Sequence, residues 1–127
     1  MNILLDTHVF IWYTEGAAKI SRSALDFIEQ ADVRYLSLAS VWEMQIEVSL
    51  QRLDLKLPLQ TLIEEECRLN DFRVLPIRQA HIYRLADLPK HHGDPFDRML
   101  VVQAQHEDLT LVTADGNIPK YDVETVW

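Results

Sequence analysis

The sequence predicts an α/β fold in which a central, mainly parallel β-sheet is flanked by helices. Two observations carry this expectation. Five short apolar runs alternate along the chain with segments of helical periodicity, the pattern of strands joined by crossover helices. The first and fourth of these runs, NILLD (2–6) and LTLVT (109–113), are nearly continuous in apolar residues, as strands are when both faces of their sheet are covered. With 127 residues, three glycines and no repeat or low-complexity tract, the chain reads as one domain spanning 1–127.

Each element has a local justification. After the strand at 2–6, Asp6 stands where it could cap a helix beginning near Thr7. SRSALDFIEQA (21–31) carries Leu25 and Ile28 at helical spacing, with Ser21 or Ser23 as a start signal. RYLSL (34–38) is the second strand, and SVWEMQIEVSLQRL (40–53) repeats apolar residues at Val41, Met44 and Val48. LQTLIEEECRLN (59–70) follows Pro58 as a helix, RVLPI (73–77) is the third strand, and RQAHIYRLADL (78–88) is a further helix. DPFDRMLVVQAQHE (94–107) is the strongest helix, with Asp94 as N-cap, Pro95 at the first helical position and Asp97 in the first turn. The fourth strand and VETVW (123–127), the fifth, complete the sheet.

Composition narrows the function classes. The one cysteine, Cys67, has no partner for an intrachain disulfide, which suits a reducing cytosol, and is expected as a buried thiol on a helix face. The N-terminal stretch has no basic leader region, and no apolar run approaches the roughly 18 residues of a membrane span, so a cytoplasmic protein is expected. Twelve basic against twenty acidic residues leave a formal charge of −8, which disfavours loose electrostatic binding of nucleic acid. It leaves room for an enzyme that gathers carboxylates around divalent cations, because the ions reverse the field that a phosphate meets.

Open parallel sheets place ligands at the carboxyl ends of their strands. Asp6 follows the first strand, Glu43 comes one turn after Ser40 beyond the second, Asp94 and Asp97 open the helix before the fourth, and Asp115 follows the fourth in LVTADGN. Each has a local explanation: a cap at Asp6, a capping box of Ser40 with Glu43, the helix dipole for Asp97, and a turn at Asp115-Gly116. Local roles do not predict convergence, whereas a doubly wound sheet brings all four to one edge. Like charges about 4 Å apart then repel by roughly 4 kcal/mol per pair at an effective dielectric near 20, so such a cluster needs a cation. An all-oxygen donor set selects Mg²⁺ or Mn²⁺ over zinc, and the reaction that follows is hydrolysis of a phosphodiester by water that the cation activates.

NILLDTHVFIWY, LSLASVWEM, DPFDRMLVVQAQ and LTLVTADGNI resemble, in order, the four signature segments of PIN-domain proteins, specifically the VapC-type toxin ribonucleases of type II toxin–antitoxin modules. The resemblance runs from the first strand to the terminal VETVW. It implies a PIN-like three-layer fold, usually a homodimer, and an acidic quartet of Asp6, Glu43, Asp97 and Asp115 holding one or two Mg²⁺ or Mn²⁺ ions. Asp6 and Asp97 would be the principal ligands, Glu43 and Asp115 would act directly or through water, and Ser40 and Thr113 match hydroxyl positions that brace the cluster. RNA would be the substrate and a cognate antitoxin the inhibitory partner, with an Arg or Lys arm suited to the acidic pocket.

The chain departs from a common pattern of close relatives, carrying Glu47 and Gln51-Arg52 where a lysine and Gly-Lys are usual. Basic candidates for the RNA backbone are Arg52, Lys56, Lys90, Arg98 and Lys120, each of which could equally be a solvated surface charge. His8, His91 and His92 could be ligands or general acids, although water activated by a cation needs no histidine base. Trp12, Trp42 and Phe96 could stack on bases or serve as core or dimer contacts. Two phosphatase classes fit less well: a haloacid-dehalogenase-like site needs an acid where His8 stands, and an HD-type site needs adjacent His-Asp where Gly93 separates His92 from Asp94. A module of the same fold that binds RNA or a partner with little hydrolysis is the alternative from another class.

Overall fold

Alternate residues of a strand face opposite sides of its sheet, and in this chain both sides are apolar. The computed structural model describes residues 1–127 and contains five strands: β1 (Asn2–Leu5), β2 (Val33–Ser37), β3 (Phe72–Leu75), β4 (Thr110–Val112) and β5 (Thr125–Val126). The helices are α1 (Thr7–Thr14), α2 (Arg22–Gln30), α3 (Leu38–Ser49), α4 (Leu59–Leu69), α5 (Gln79–Arg84) and α6 (Pro95–Glu107), with short 3-10 turns at Leu85–Asp87 and Ile118–Lys120. Ile3, Leu5, Leu36 and Val112 join one buried cluster with α1 and α2, whereas Leu4 and Leu111 join a second with α6. The sheet is thus a middle layer between two helical layers, as the continuous apolar runs predict. No helix is long and apolar enough to cross a membrane.

The strand order is β3-β2-β1-β4-β5, and every neighbouring pair is parallel. From β1 the chain steps outward to β2 and β3, then crosses back to β4 and β5 on the other side. The order therefore reverses between β1 and β4, the place where an open α/β sheet leaves a crevice at its carboxyl edge. α1 and α3 start at that edge directly after β1 and β2. α6 starts there as well, because it must run back past the sheet before β4 begins.

The starts of α2 and α6 follow their capping chemistry, whereas those of α1 and α3 do not: the Asp6 side chain makes no capping bond to α1. Ser21 caps α2 by accepting from the Ala24 amide (3.0 Å), and Asp94 Oδ1 caps α6 by accepting from the amides of Phe96 (2.9 Å) and Asp97 (3.0 Å). α3 begins at Leu38 rather than near Ser40, because β2 runs straight into it and Ser37 accepts from the Ala39 amide (3.0 Å). The Ser40–Glu43 capping box therefore does not form, and Ser40 lies inside the first turn. α3 also ends earlier than its periodicity suggests, before Gln51, whose φ of 57° is left-handed. Cys67, expected to be buried, is half-buried on α4 and packs against the first core cluster from its rim.

α6 is the central helix of the second layer, with Met99 to Ala104 all buried. Within that run Gln103 is completely buried, accepting from Ser37 Oγ (2.5 Å) and donating to the Pro76 carbonyl (3.2 Å). These two bonds fix the height of α6 against the ends of β2 and β3, and so fix where its first turn meets the carboxyl edge. Gln103→Leu keeps the volume but strands the Pro76 carbonyl and the Ser37 hydroxyl, so we expect urea denaturation to show a loss of about 2 kcal/mol or more. A loss below about 0.5 kcal/mol would show that apolar packing alone sets the height of α6.

Candidate active site

Asp6 is the first residue beyond β1, and its backbone amide donates to the Val112 carbonyl of β4 (2.9 Å). Its side chain does not cap α1; instead Oδ2 accepts from the Thr113 hydroxyl (2.7 Å). Thr113 Oγ1 accepts in turn from the Asp115 amide (3.0 Å), and Asp115 Oδ1 accepts from the Asn117 amide (2.6 Å). The Thr113 hydroxyl thus links Asp6 to the Asp115 turn, and the bond from the Asn117 amide holds the Asp115 carboxylate in that turn. From α1, Thr7 Oγ1 donates to Ser40 Oγ (2.8 Å), with both residues buried. The Thr7 hydroxyl also reaches Glu43, so its one hydrogen serves Ser40 or Glu43 at any moment. Ser40 therefore supports the cluster through Thr7.

The electrostatics report the convergence of the acids. Burial raises the Asp6 carboxyl above its ordinary value, against the hydrogen bond from Thr113 and the charge of His8. Burial raises Glu43 too, with the charges of Asp94 and Asp6 adding to it and the Thr7 hydrogen bond opposing. Asp97 moves furthest, from 3.8 to about 8, first through burial and then through Asp6, Asp94, Asp115 and Glu43. The other three members of the predicted quartet all bear on this one carboxylate. A set of hard oxygen donors whose charges resist ionisation is one that a divalent cation would neutralise, so the residues fit Mg²⁺ or Mn²⁺.

A cavity of about 400 Å³ opens beside Glu43, lined among others by Thr7, His8, Trp12, Lys19 and Arg52. Arg52 is the predicted backbone-binding cation that falls here; Lys19 is one that sequence reasoning missed. Arg98 is committed elsewhere, donating to the carbonyls of Pro89 (2.9 Å) and Leu88 (3.3 Å) and to the Tyr121 hydroxyl (3.1 Å). Trp42 is 60% exposed and meets Phe96 edge-on at 5.2 Å, so it joins α3 to the start of α6 from outside the core. His92 comes to the site itself, with Nε2 3.3 Å from Asp97 Oδ2.

A second group of metal-ligand side chains lies on α5 and the last turn of α6. Ligand atoms of His81, His106 and Glu107 all lie within 4.8 Å of one another. His81 is fully buried, however, and its Nδ1 accepts from the Arg78 amide (3.0 Å) while Nε2 faces Glu107 Oε1 at 3.4 Å. Nδ1 has thus committed its lone pair, and Nε2 carries the proton that Glu107 accepts. A neutral imidazole in this tautomer has no lone pair left for a cation, so His81 caps α5 and, through Glu107, ties it to α6.

Asp97 links the site to stability. The folded chain keeps a proton on Asp97 up to about pH 8, whereas the unfolded chain releases it near 3.8, so stability falls as pH rises through that window. In the presence of chelator we expect the Tm to drop between pH 5 and 8. Asp97→Asn should flatten this slope and exceed wild type at pH 8 by at least about 3 °C; an unchanged slope would mean that burial and the neighbouring acids do not raise this carboxyl. Asp94→Ala, measured at pH 5, should lose about 1 kcal/mol for its cap.

The family model described as "PIN domain" matches residues 3–124. Ribonuclease VapC22 of Mycobacterium tuberculosis is 27% identical over 118 residues, covering 92% of this chain and 89% of that protein. Among solved structures, VapBC2 from Rickettsia felis, bound to a DNA fragment from its promoter, superposes with a TM-score of 0.74 at 15% identity, covering 99% of this chain and 98% of that one. A toxin–antitoxin complex from Klebsiella pneumoniae superposes with a TM-score of 0.59 at 16% identity, covering 98% and 96%. With the family's model matching nearly the whole chain and its fold and acidic edge in place, the protein belongs to the PIN domain family.

Proposed function

We propose that this chain is the toxin of a type II toxin–antitoxin pair: a cytoplasmic, homodimeric, Mg²⁺- or Mn²⁺-dependent endoribonuclease silenced by a cognate antitoxin. The observation that carries the reading is Asp97, lifted to about 8 by burial and by four neighbouring acids at the switch point of the sheet. The ribonuclease name of the mycobacterial relative and the toxin–antitoxin complex among the structural neighbours support it.

Asp6 and Asp97 would hold the cation, with Glu43 and Asp115 in support. When bound, the cation supplies Lewis acidity to the scissile phosphate and makes water a stronger nucleophile. Thr113 fixes Asp6 through Oδ2, so this ligand does not have to be ordered when RNA arrives. Glu43, its proton affinity raised by burial, is the carboxylate suited to receive a proton from the attacking water. Lys19 and Arg52, across the adjoining cavity, are placed to hold the RNA backbone. The same acids would pair with an Arg or Lys arm of the antitoxin, which competes with the cation for them. Ile82 and Tyr83, both exposed on α5, are candidate dimer contacts.

The test is cleavage of a panel of structured RNAs by wild type and Asp97→Asn, with Mg²⁺ or Mn²⁺ and then with chelator. Cleavage that needs the cation and falls at least about 10³-fold in the variant is expected. Cleavage without the cation, or equal cleavage by the variant, would overturn the nuclease reading. Binding without cleavage would favour an RNA-binding module.

A further inference from the structure

His92 touches both the acidic edge and the second core, and its two ring nitrogens have different partners. Nε2 lies 3.3 Å from Asp97 Oδ2, and Nδ1 lies 2.8 Å from the hydroxyl of Tyr121. Tyr121 is only 4% exposed and belongs to the core cluster beneath α6, so its hydroxyl is held by a packed ring. The hydroxyl oxygen accepts from Arg98 Nη1 (3.1 Å) and from the His92 backbone amide (3.3 Å). Both acceptor positions of the phenol oxygen are then filled, and its own hydrogen must point at His92 Nδ1. An Nδ1 that accepts leaves the proton of the neutral ring on Nε2, facing Asp97.

We propose that His92 is a positioning residue for Asp97: Tyr121 sets the ring tautomer, and the resulting Nε2–H donates to Oδ2, orienting the carboxylate so that Oδ1 faces the cation site. Histidines that hold a metal-ligating carboxylate act in this way, by fixing one oxygen so that the other is pre-aimed. The loop carrying His92 is itself fastened, since Arg98 of α6 donates to the carbonyls of Leu88 and Pro89 and the His91 ring packs edge-on against Tyr121 at 4.7 Å. α6 thus carries the ligand and also anchors the loop that orients it. His91, exposed beside it, makes only the ring contact.

The proposal rests on the cation-binding reading of the quartet, and the experiment separates the two. Mn²⁺ binding to the intact chain is titrated calorimetrically for wild type, His92→Phe, His92→Gln, Tyr121→Phe and Asp97→Asn, with thermal unfolding in chelator alongside. His92→Phe should weaken Mn²⁺ binding about 10- to 100-fold. His92→Gln, whose terminal N–H can replace Nε2–H, should recover to within about 3-fold of wild type, a rescue that a merely space-filling histidine would not show. Long-range ¹H–¹⁵N spectra of the metal-free chain should show the Nε2–H tautomer in wild type and a mixture in Tyr121→Phe, a readout that needs neither cation nor RNA. An Nδ1–H tautomer in wild type, wild-type Mn²⁺ affinity in His92→Phe, or a Gln variant as weak as the Phe variant would overturn the proposal. Mn²⁺ binding by Asp97→Asn equal to wild type would instead overturn the cation reading itself.

Discussion

Mutual repulsion among carboxylates at the carboxyl edge between β1 and β4 is the constraint on which the rest of the structure depends. Asp97 would ionise near 3.8 in water and does so near 8 here, so several kinds of work are being done against its charge at once. Burial alone would make the acid a neutral, passive group. Burial together with four neighbouring acids makes a site that favours whatever brings positive charge, whether proton, divalent cation or a basic side chain. These three compete for the same oxygens, so occupation of the edge by one disfavours the other two.

A scaffold that holds repelling groups together must be stiff where it meets them, and the stiffness comes from both faces of the sheet. Two buried clusters, one on each side, clamp β1 and β4, whose ends carry Asp6 and Thr113. Parallel pairing sets Leu5 beside Val112, and the Asp6 amide extends that ladder by one bond to the Val112 carbonyl. The carboxylate of Asp6 therefore leaves the sheet at a defined height, where the Thr113 hydroxyl meets it. Gln103 does the equivalent for α6, setting the helix against β2 and β3 through bonds made further along the helix from Asp97. The acids are separated widely in sequence, yet each is tied by a hydrogen bond or a cap to an element that the core already fixes.

The layers were legible because burial on both faces leaves its mark on composition: the five strands and the order of the helices follow the apolar runs and helical spacing, although the bounds of α3 and α5 do not. That Asp6, Glu43, Asp97 and Asp115 share one edge was legible for a topological reason, since an acid after a parallel strand or at the start of a returning helix has only one edge to occupy. Legibility failed where a local pattern had a distant competitor. Ser40-x-x-Glu43 is a sound capping signal, but β2 enters α3 without a loop and Ser37 takes the cap, which only the sheet register decides. Gln103 reads as the one polar residue in the apolar run Met99–Ala104, with nothing local to announce a partner 66 residues earlier. Tyr121 reads as an ordinary aromatic, because the value of its hydroxyl depends on a loop that the core brings to it from 29 residues away.

His81 and His92 show why residue type and proximity do not identify a ligand. Each histidine presents Nε2 to a carboxylate and Nδ1 to a hydrogen-bond donor, and each is thereby fixed in one tautomer. His81 faces Glu107 at the far end of α6, where its bonds join α5 to α6 and where burial holds the imidazole below its ordinary range against the pull of Glu107. His92 faces Asp97 at the near end, where the carboxylate it touches already feels four other acids. The histidine geometry is alike in the two places; the difference lies in what surrounds the carboxylate. A lone acid accepts the imidazole N–H and is satisfied, whereas an acid within a repelling group is given a direction by that bond but not enough positive charge. What remains unsatisfied at Asp97 is charge rather than hydrogen bonding, and a proton, a cation or a basic side chain would each relieve it.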